Sequence, residues 1–308
     1  MKVLGLVGSG RPRGNGEVLV KAALDAARGE GASVELLRLT DFRVLPCDGC
    51  MACVFREPGA GDLLNLRGLC PVEDDAWFVF GKLLECDGLV VSAPTYLLSP
   101  AAQVKGVVDR SLMLHRYFFQ RESRWGLRPA AGIACAGIRG WDPLARPLLN
   151  QLALCLGFYL VGSVTAFAPG PAQSLVDPRN EEAARELGRR VALGERGDPP
   201  AGKCPVCHGE AFTLVSQEEV ECPLCLVRGR LEPAAGGGVP RITFDPGWTD
   251  SHRWTREHMR HHLEEWVLKT RELYLRDRPV IKEARRRLDE LEIPWVTGPG
   301  VPEGTARS

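Results

Sequence analysis

The sequence predicts a doubly wound α/β domain on a five-stranded parallel sheet, followed by a small four-cysteine module and C-terminal helices. Three observations carry that expectation. Apolar runs alternate with amphipathic segments over residues 2–194, as buried strands alternate with crossover helices. A Gly-rich turn follows the first apolar run directly, and two CxxC pairs lie beyond the last amphipathic segment.

The elements follow in order. KVLGLV (2–7), SVELLRL (33–39), GLVVSAP (88–94), AAGIACAG (130–137) and FYLVGSV (158–164) read as strands. Helices are expected at 17–28, 74–86, 101–117, 143–156 and 179–194. RGDPPAGK reads as a linker from its Gly and Pro content, giving domains at 1–196, 197–235 and 236–308. In the last of these, Met259, Leu263, Trp266, Val267, Leu273, Ile281, Leu288 and Leu291 recur at helical spacing over 254–276 and 280–291, predicting a helical hairpin. PAAGGGVP (233–240) reads as flexible and TGPGVPEGTARS as a disordered tail.

With 308 residues, 44% of them hydrophobic, the chain can bury a full core. A formal net charge of zero removes the broad electrostatic drive toward nucleic acid or anionic membranes. No apolar run approaches the ~20 residues that cross a bilayer. No signal-peptide pattern precedes the first strand, so the expectation is a cytoplasmic protein with reduced thiols.

Four cysteines carry the sharpest chemistry. Cys47, Cys50 and Cys53 fall at two-residue gaps in PCDGCMAC, and Cys70 follows in LCPVEDD. Three thiolates in seven residues with a remote fourth suit one iron–sulfur cluster better than the paired knuckles of a zinc ion. Zinc or unliganded thiols are the alternatives. Cys204, Cys207, Cys222 and Cys225 do form two such knuckles, CPVC and CPLC, and predict a zinc-ribbon-like site; a rubredoxin-like iron is its redox alternative. His208 adjoins Cys207, but four thiolates already complete that site. Cys86, Cys135 and Cys155 lie in apolar contexts and read as buried small hydrophobes.

The turn GSGRPRGNGEVL (8–19) gathers Ser9, Arg11, Arg13, Asn15 and Gly16 before a helix, an arrangement that seats a phosphate on backbone N–H groups and guanidinium donors. It lacks both the GKS/GKT of a nucleotide-hydrolysing loop and the GxGxxG of a dinucleotide fold, leaving FMN as the natural ligand. In such sheets ligands lie outside the carboxyl ends of the strands. Pro94, Thr95, Tyr96 and Leu97 would therefore meet the flavin ring, with Ala136, Gly137 and Gly140 of a second loop at its polar rim. Asp74 and Asp75 open a helix and read as capping residues.

Together, GSGRPRGNG, PCDGCMAC…CPVEDDAW and SAPTYLLSPAAQVKGVVDR resemble the iron–sulfur flavoproteins of the NADPH-dependent FMN reductase superfamily over residues 1–165. The resemblance implies a flavodoxin-like fold, FMN on the phosphate loop and a [4Fe–4S] cluster close to the flavin. It also implies a homodimer or homotetramer, the cluster often lying at the subunit interface. Ser9, Arg11 and Asn15 match its phosphate motif, Pro94 to Leu97 its ring loop, and Cys47, Cys50, Cys53 and Cys70 its cluster ligands. Gly16 replaces the family's usual Thr, and the gap from Cys53 to Cys70 is longer than common.

The function expected is electron transfer between one- and two-electron carriers, with NAD(P)H or a ferredoxin-like protein as donor, an unspecified protein redox partner, and no catalytic triad. A plain NAD(P)H-dependent FMN or quinone reductase without a cluster is the first alternative. A non-enzymatic redox-sensing or interaction platform is the second.

Overall fold

The computed structural model describes residues 1–56, 66–115, 117, 124–197, 201–233, 241–244, 247, 250–291, 293 and 296. Strands β1 (Lys2–Val7), β2 (Ser33–Arg38), β3 (Gly88–Tyr96), β5 (Arg128–Ala136) and β6 (Phe158–Phe167) form a parallel sheet in the order β2-β1-β3-β5-β6. The short β4 (Ser99–Pro100) folds back antiparallel on β3. Every residue of β5 is buried, which is why that segment reads as a continuous apolar run without alternation. All five predicted strands are present at their predicted places.

The crossover helices are α1 (Asn15–Gly29), α3 (Ala76–Glu85), α4 (Ala102–Arg110) and α5 (Ala145–Leu154); α6 (Pro178–Leu193) follows the last strand, and the single turn α2 (Ala52–Phe55) carries Cys53 at the end of the first cysteine run. Leu19, Val20, Ala23 and Ala27 of α1 join Ala184, Leu187 and Val191 of α6 in one buried cluster with Val3, Val90 and Ile133 of the sheet. The two helices pass so closely that a Cβ on Gly188 would lie 1.9 Å from the Ala23 carbonyl oxygen. Asp177 caps α6 by accepting from Arg179 N at 3.1 Å, Pro178 opens it, and Gly194 closes it at φ +68°.

A second, antiparallel sheet orders β7 (Thr213–Leu214), β8 (Glu219–Glu221), β9 (Arg228–Glu232) and β10 (Arg241–Phe244) as β10-β9-β8-β7. Met1–Arg260 form one compact unit that includes this module. Asn150 of α5 donates to the Cys207 carbonyl at 2.9 Å, His208 Nδ1 meets Ser163 Oγ of β6 at 2.9 Å, and Arg146 pairs with Glu210. The module therefore rests on α5 and β6, although a Gly/Pro-rich linker separates it in sequence.

His261–Ser308 form a second unit. Helix α7 (Arg256–His262) ends in a π-turn at Leu263–Val267, and α8 (Thr270–Asp289) follows. The expected helical hairpin is corrected here: α8 runs through Pro279, and the irregularity falls at 263–267. Proline removes one backbone bond but does not by itself end a helix. Pairs such as Arg286–Glu283 and Arg285–Asp289 support its last turns. No residue of α8 is buried. Residues 234–240 of the expected flexible segment and all of the 297–308 tail lie outside the described residues. No described helix is long and apolar enough to cross a membrane.

Candidate flavin and metal–thiolate site

The turn from β1 into α1 is built to leave donors free. Gly14 is the N-cap of α1 and has no side chain to bond the first-turn N–H groups, so these point outward as an anion seat. Ser9 is buried and its Oγ accepts from Arg11 N at 3.2 Å, while Arg11 and Arg13 are exposed. Arg13 sits at φ +53° and donates its backbone N–H to Glu17 Oε2 at 2.8 Å. Glu17, buried, is held below the usual carboxylate range by Lys21, and further by Arg13 N and Arg38. Asn15 is committed elsewhere: Nδ2 donates to the carbonyls of Ala168 (3.0 Å) and Gly170 (2.9 Å), and Oδ1 accepts from Ser174 N (3.0 Å). Its side chain latches the loop after β6, and its backbone N–H remains among the unpaired first-turn donors.

Gly16 has a structural reason. A Cβ there would lie 2.7 Å from Ser92 Oγ and 3.3 Å from Ser92 Cβ, so a residue with a side chain at 16 collides with this β3 serine. Ser92 is fully buried and its hydroxyl has no protein partner. Sequence reasoning passed over Ser92; the missing hydroxyl at position 16 is the one signal that could have drawn attention to a polar group beside it.

Thr95 and Tyr96 pair with Pro100 and Ser99, leaving Leu97 and Leu98 as a two-residue turn with φ of +44° and +73°. Two leucines in left-handed backbone cost roughly 1–2 kcal/mol each, in a turn that usually takes Asn-Gly. Leu97 is 84% exposed, Tyr96 is exposed, and the Pro94 carbonyl accepts from Ala101 N at 3.0 Å. Thr95 Oγ1 is buried without a partner. The second loop meets this turn where Leu144 N donates to the Leu98 carbonyl at 3.2 Å. Ala136 is buried at the end of β5, Gly137 has open space over its Cα, and Gly140 turns at φ +83°. Ser92 and Thr95 offer orphaned polar atoms, and Gly137 and the uncapped helix offer backbone at close approach, so the donor set fits a phosphorylated planar ligand.

The loop after β2 carries the first cysteines. Cys47 and Cys50 are exposed, Cys53 and Cys70 half-buried. Gly49 (φ +72°) and Met51 (φ +59°) bend the run, and Asp48 accepts from Cys50 N at 3.1 Å. Burial pushes the Cys53 thiol up to about 11, with Cys70, Cys47 and Cys50 adding to the rise, so the four sulfurs share one electrostatic neighbourhood. Residues 57–65, between Cys53 and Cys70, lie outside the described residues.

Cys204, Cys207, Cys222 and Cys225 are all buried, and they are the one set among the described residues whose ligand atoms all lie within 4.8 Å. The two knuckles repeat one geometry. His208 N donates to the Cys204 carbonyl (2.9 Å) and Leu226 N to the Cys222 carbonyl (2.8 Å), with His208 and Leu226 at φ +59° and +63°. Hydrogen bonds from Cys204, Cys207 and Cys225 lower Cys222, while burial raises Cys225 and the Cys204 bond raises Cys207. A cation would replace those shared protons. His208 is neutral, lowered to about 4 by burial and then by Arg146 and Lys203. The isolated thiols of Cys86, Cys135 and Cys155 are pushed up to about 11, 12 and 12 by burial.

This parallel sheet with an uncapped anion seat and thiol-bearing loops at one edge defines a flavodoxin-like redox protein. The sequence profile of the NADPH-dependent FMN reductase family matches residues 1–172, and the chain belongs to that family, among its iron–sulfur flavoproteins. An iron–sulfur flavoprotein of Methanocaldococcus jannaschii is 32% identical over 200 residues, covering 62% of this chain and 96% of that protein. The flavone synthase of Aspergillus candidus is 28% identical over 274 residues, covering 80% of this chain and 83% of the relative. A solved flavone reductase superposes with a TM-score of 0.71 over 97% of this chain and 100% of its own, at 19% identity, a likeness of fold. The chain is thus a flavoprotein of FMN-dependent redox chemistry.

Proposed function

We propose that this chain is an FMN-dependent electron-transfer oxidoreductase whose flavin exchanges electrons with a [4Fe–4S] cluster on Cys47, Cys50, Cys53 and Cys70. One observation carries the reading: the loops after β1, β2, β3 and β5 leave parallel strands at the same, carboxyl edge, so the thiol loop and both flavin loops are neighbours by topology. Bound there, FMN supplies one- and two-electron chemistry and the cluster one-electron chemistry. The chain's own part is to hold them. Ser9, Arg11, Arg13 and the first-turn N–H groups at Asn15 and Gly16 bind the phosphate; Pro94, Thr95, Tyr96, Leu97, Ala136, Gly137 and Gly140 bracket the ring.

The buried Cys204, Cys207, Cys222 and Cys225 hold one zinc ion, since a closed four-thiolate shell matches a structural zinc site. NAD(P)H or a ferredoxin-like carrier supplies electrons. Exposed Tyr96, Leu97, Ile138 and Trp141 around the ring loops favour a homodimer that covers them. An anaerobic absorbance and iron–sulfide analysis tests the core reading. Iron and acid-labile sulfide alongside FMN support it, and zinc at the first four cysteines without sulfide overturns it.

A second reading, reduction or oxidation of a planar organic substrate over the flavin, has its own observation. The match to the flavone synthase covers 80% of the chain, more than residues 1–196 supply, and so enters the four-cysteine module. FMN reoxidation on mixing the reduced protein with flavone would support it; an unchanged flavin spectrum would sink it.

A further inference from the structure

A buried ion pair ties together both arms of the first cysteine loop. Arg110, the last residue of α4, and Asp74, just after Cys70, each have 1% of their side chain exposed. Their contact is bidentate: Nη1 donates to Oδ2 at 2.7 Å and Nη2 to Oδ1 at 3.2 Å. Leu45, two residues before Cys47, is held at both backbone groups, its carbonyl accepting from Arg110 Nη1 (2.9 Å) and its N–H donating to Asp74 Oδ2 (2.8 Å). Asp74 Oδ1 also accepts from Ala76 N at 3.1 Å. The next residue repeats the tie, since Asp75 and Arg43 exchange backbone and carboxylate bonds at 2.8 Å. The segments leading into Cys47 and out of Cys70 are thus clamped to one guanidinium.

A buried ion pair contributes little to stability, because desolvation offsets the Coulomb gain, and an apolar pair of similar volume often does as well. Its presence at this place calls for another role. The guanidinium lies within electrostatic range of the Cys70 and Cys47 thiols and of Asp48, while the leading interactions of the Asp74 carboxylate are with Arg110 and the Leu45 and Ala76 N–H groups.

We propose that Arg110, oriented by Asp74, is a positioning residue for the iron–sulfur group of this loop: it fixes the Cys47 and Cys70 arms relative to each other and favours the reduced group with its positive charge. The inference rests on the cluster reading above. Reduction adds one electron, hence one negative charge, to the iron–sulfur group, with no bond made or broken. A cation fixed in a low-dielectric setting stabilises the more negative state.

Four proteins decide it: the unaltered chain and the variants Arg110→Gln, Arg110→Lys and Asp74→Asn. Each is purified anaerobically and its iron, sulfide and FMN are measured. The cluster midpoint is then read in a dithionite titration followed by electron paramagnetic resonance. Arg110→Gln is expected to keep FMN, lose about 10-fold in iron retention against a chelator, and carry a residual cluster of lower potential. Arg110→Lys keeps the charge and is expected to keep the potential. Asp74→Asn leaves the cation without its counter-ion and is expected to move the potential upward. Opposite shifts from Arg110→Gln and Asp74→Asn would not arise from loosened packing. Should Arg110→Gln fail to fold, Asp74→Asn against the unaltered chain still gives the sign, and a midpoint there that stays fixed or falls overturns the proposal. Midpoints that stay fixed, or move in the same direction in Arg110→Gln and Asp74→Asn, overturn this proposal alone. Iron and sulfide absent from the unaltered chain overturn the cluster reading and this proposal with it.

Discussion

The two four-cysteine groups invite direct comparison, because they share a ligand type and a ligand count yet differ in almost everything around the sulfurs. In the set at 204–225 every cysteine is buried, the sulfurs lie within 4.8 Å of one another, and two identical knuckles fix them by backbone bonds. In the set at 47–70 two sulfurs are exposed, two are half-buried, and the fixing is done from outside by the Arg110–Asp74 pair. A closed shell suits one small ion, of which zinc is the reading proposed above. An open, externally braced loop suits a larger group that must meet an electron partner, and its edge position puts it beside the flavin loops. The comparison teaches that two groups alike in ligand type and count can differ in burial and in how their sulfurs are braced.

The largest effect that sharpens this contrast is expected from Cys207→Ala. Structural zinc supplies of order 10–16 kcal/mol in small modules, so this variant should lose its zinc and lower the unfolding temperature of the whole 1–260 unit, which differential scanning with metal analysis will show. Unfolding of the module alone, with the flavin transition unmoved, would mean that its contacts through Asn150 and His208 carry no energy. Next in size, Cys50→Ser should remove iron and sulfide together while leaving zinc stoichiometric; parallel loss of zinc would make the two sites one system. Arg11→Ala should weaken FMN by about 10-fold or more in a fluorescence titration, as one charge-assisted phosphate contact is worth about 1.5–3 kcal/mol. An unchanged affinity would assign the phosphate to backbone N–H groups alone. The smallest effect is expected from Leu98→Gly, which relieves a left-handed leucine and should stabilise the protein by up to about 1 kcal/mol. A lower unfolding temperature instead would show that Leu98 packing outweighs its strain.

Much of the sheet was legible because its strands are buried on both faces and alternate with helices whose apolar positions recur at helical spacing. The paired knuckles were legible because their spacing is short and local. What the sequence withheld was tertiary. Leu97 and Leu98 carry no turn signal, so the β3–β4 hairpin was invisible, and Asp74 read as a helix cap because its partner Arg110 lies far along the chain. Asn15 read as a phosphate donor, yet its side chain bonds Ala168, Gly170 and Ser174, contacts that only the folded chain creates. The apolar spacing over 254–276 and 280–291 read as two helices, whereas one helix runs from Thr270 to Asp289 and its last turns carry charged pairs that apolar spacing does not register.

The Asn15 latch also bears on where this domain can be cut. The family profile ends at residue 172, whereas the backbone N–H that Asn15 Oδ1 accepts belongs to Ser174, and Asn180 in turn donates to the Ser174 carbonyl at 2.9 Å. A fragment trimmed to the profile would strip one partner from Asn15 and remove α6 from the face of α1, fraying the anion seat at its first turn. A flavin-binding piece of this chain therefore has to run at least through Gly194, and the boundary drawn by kinship falls inside the boundary drawn by hydrogen bonds.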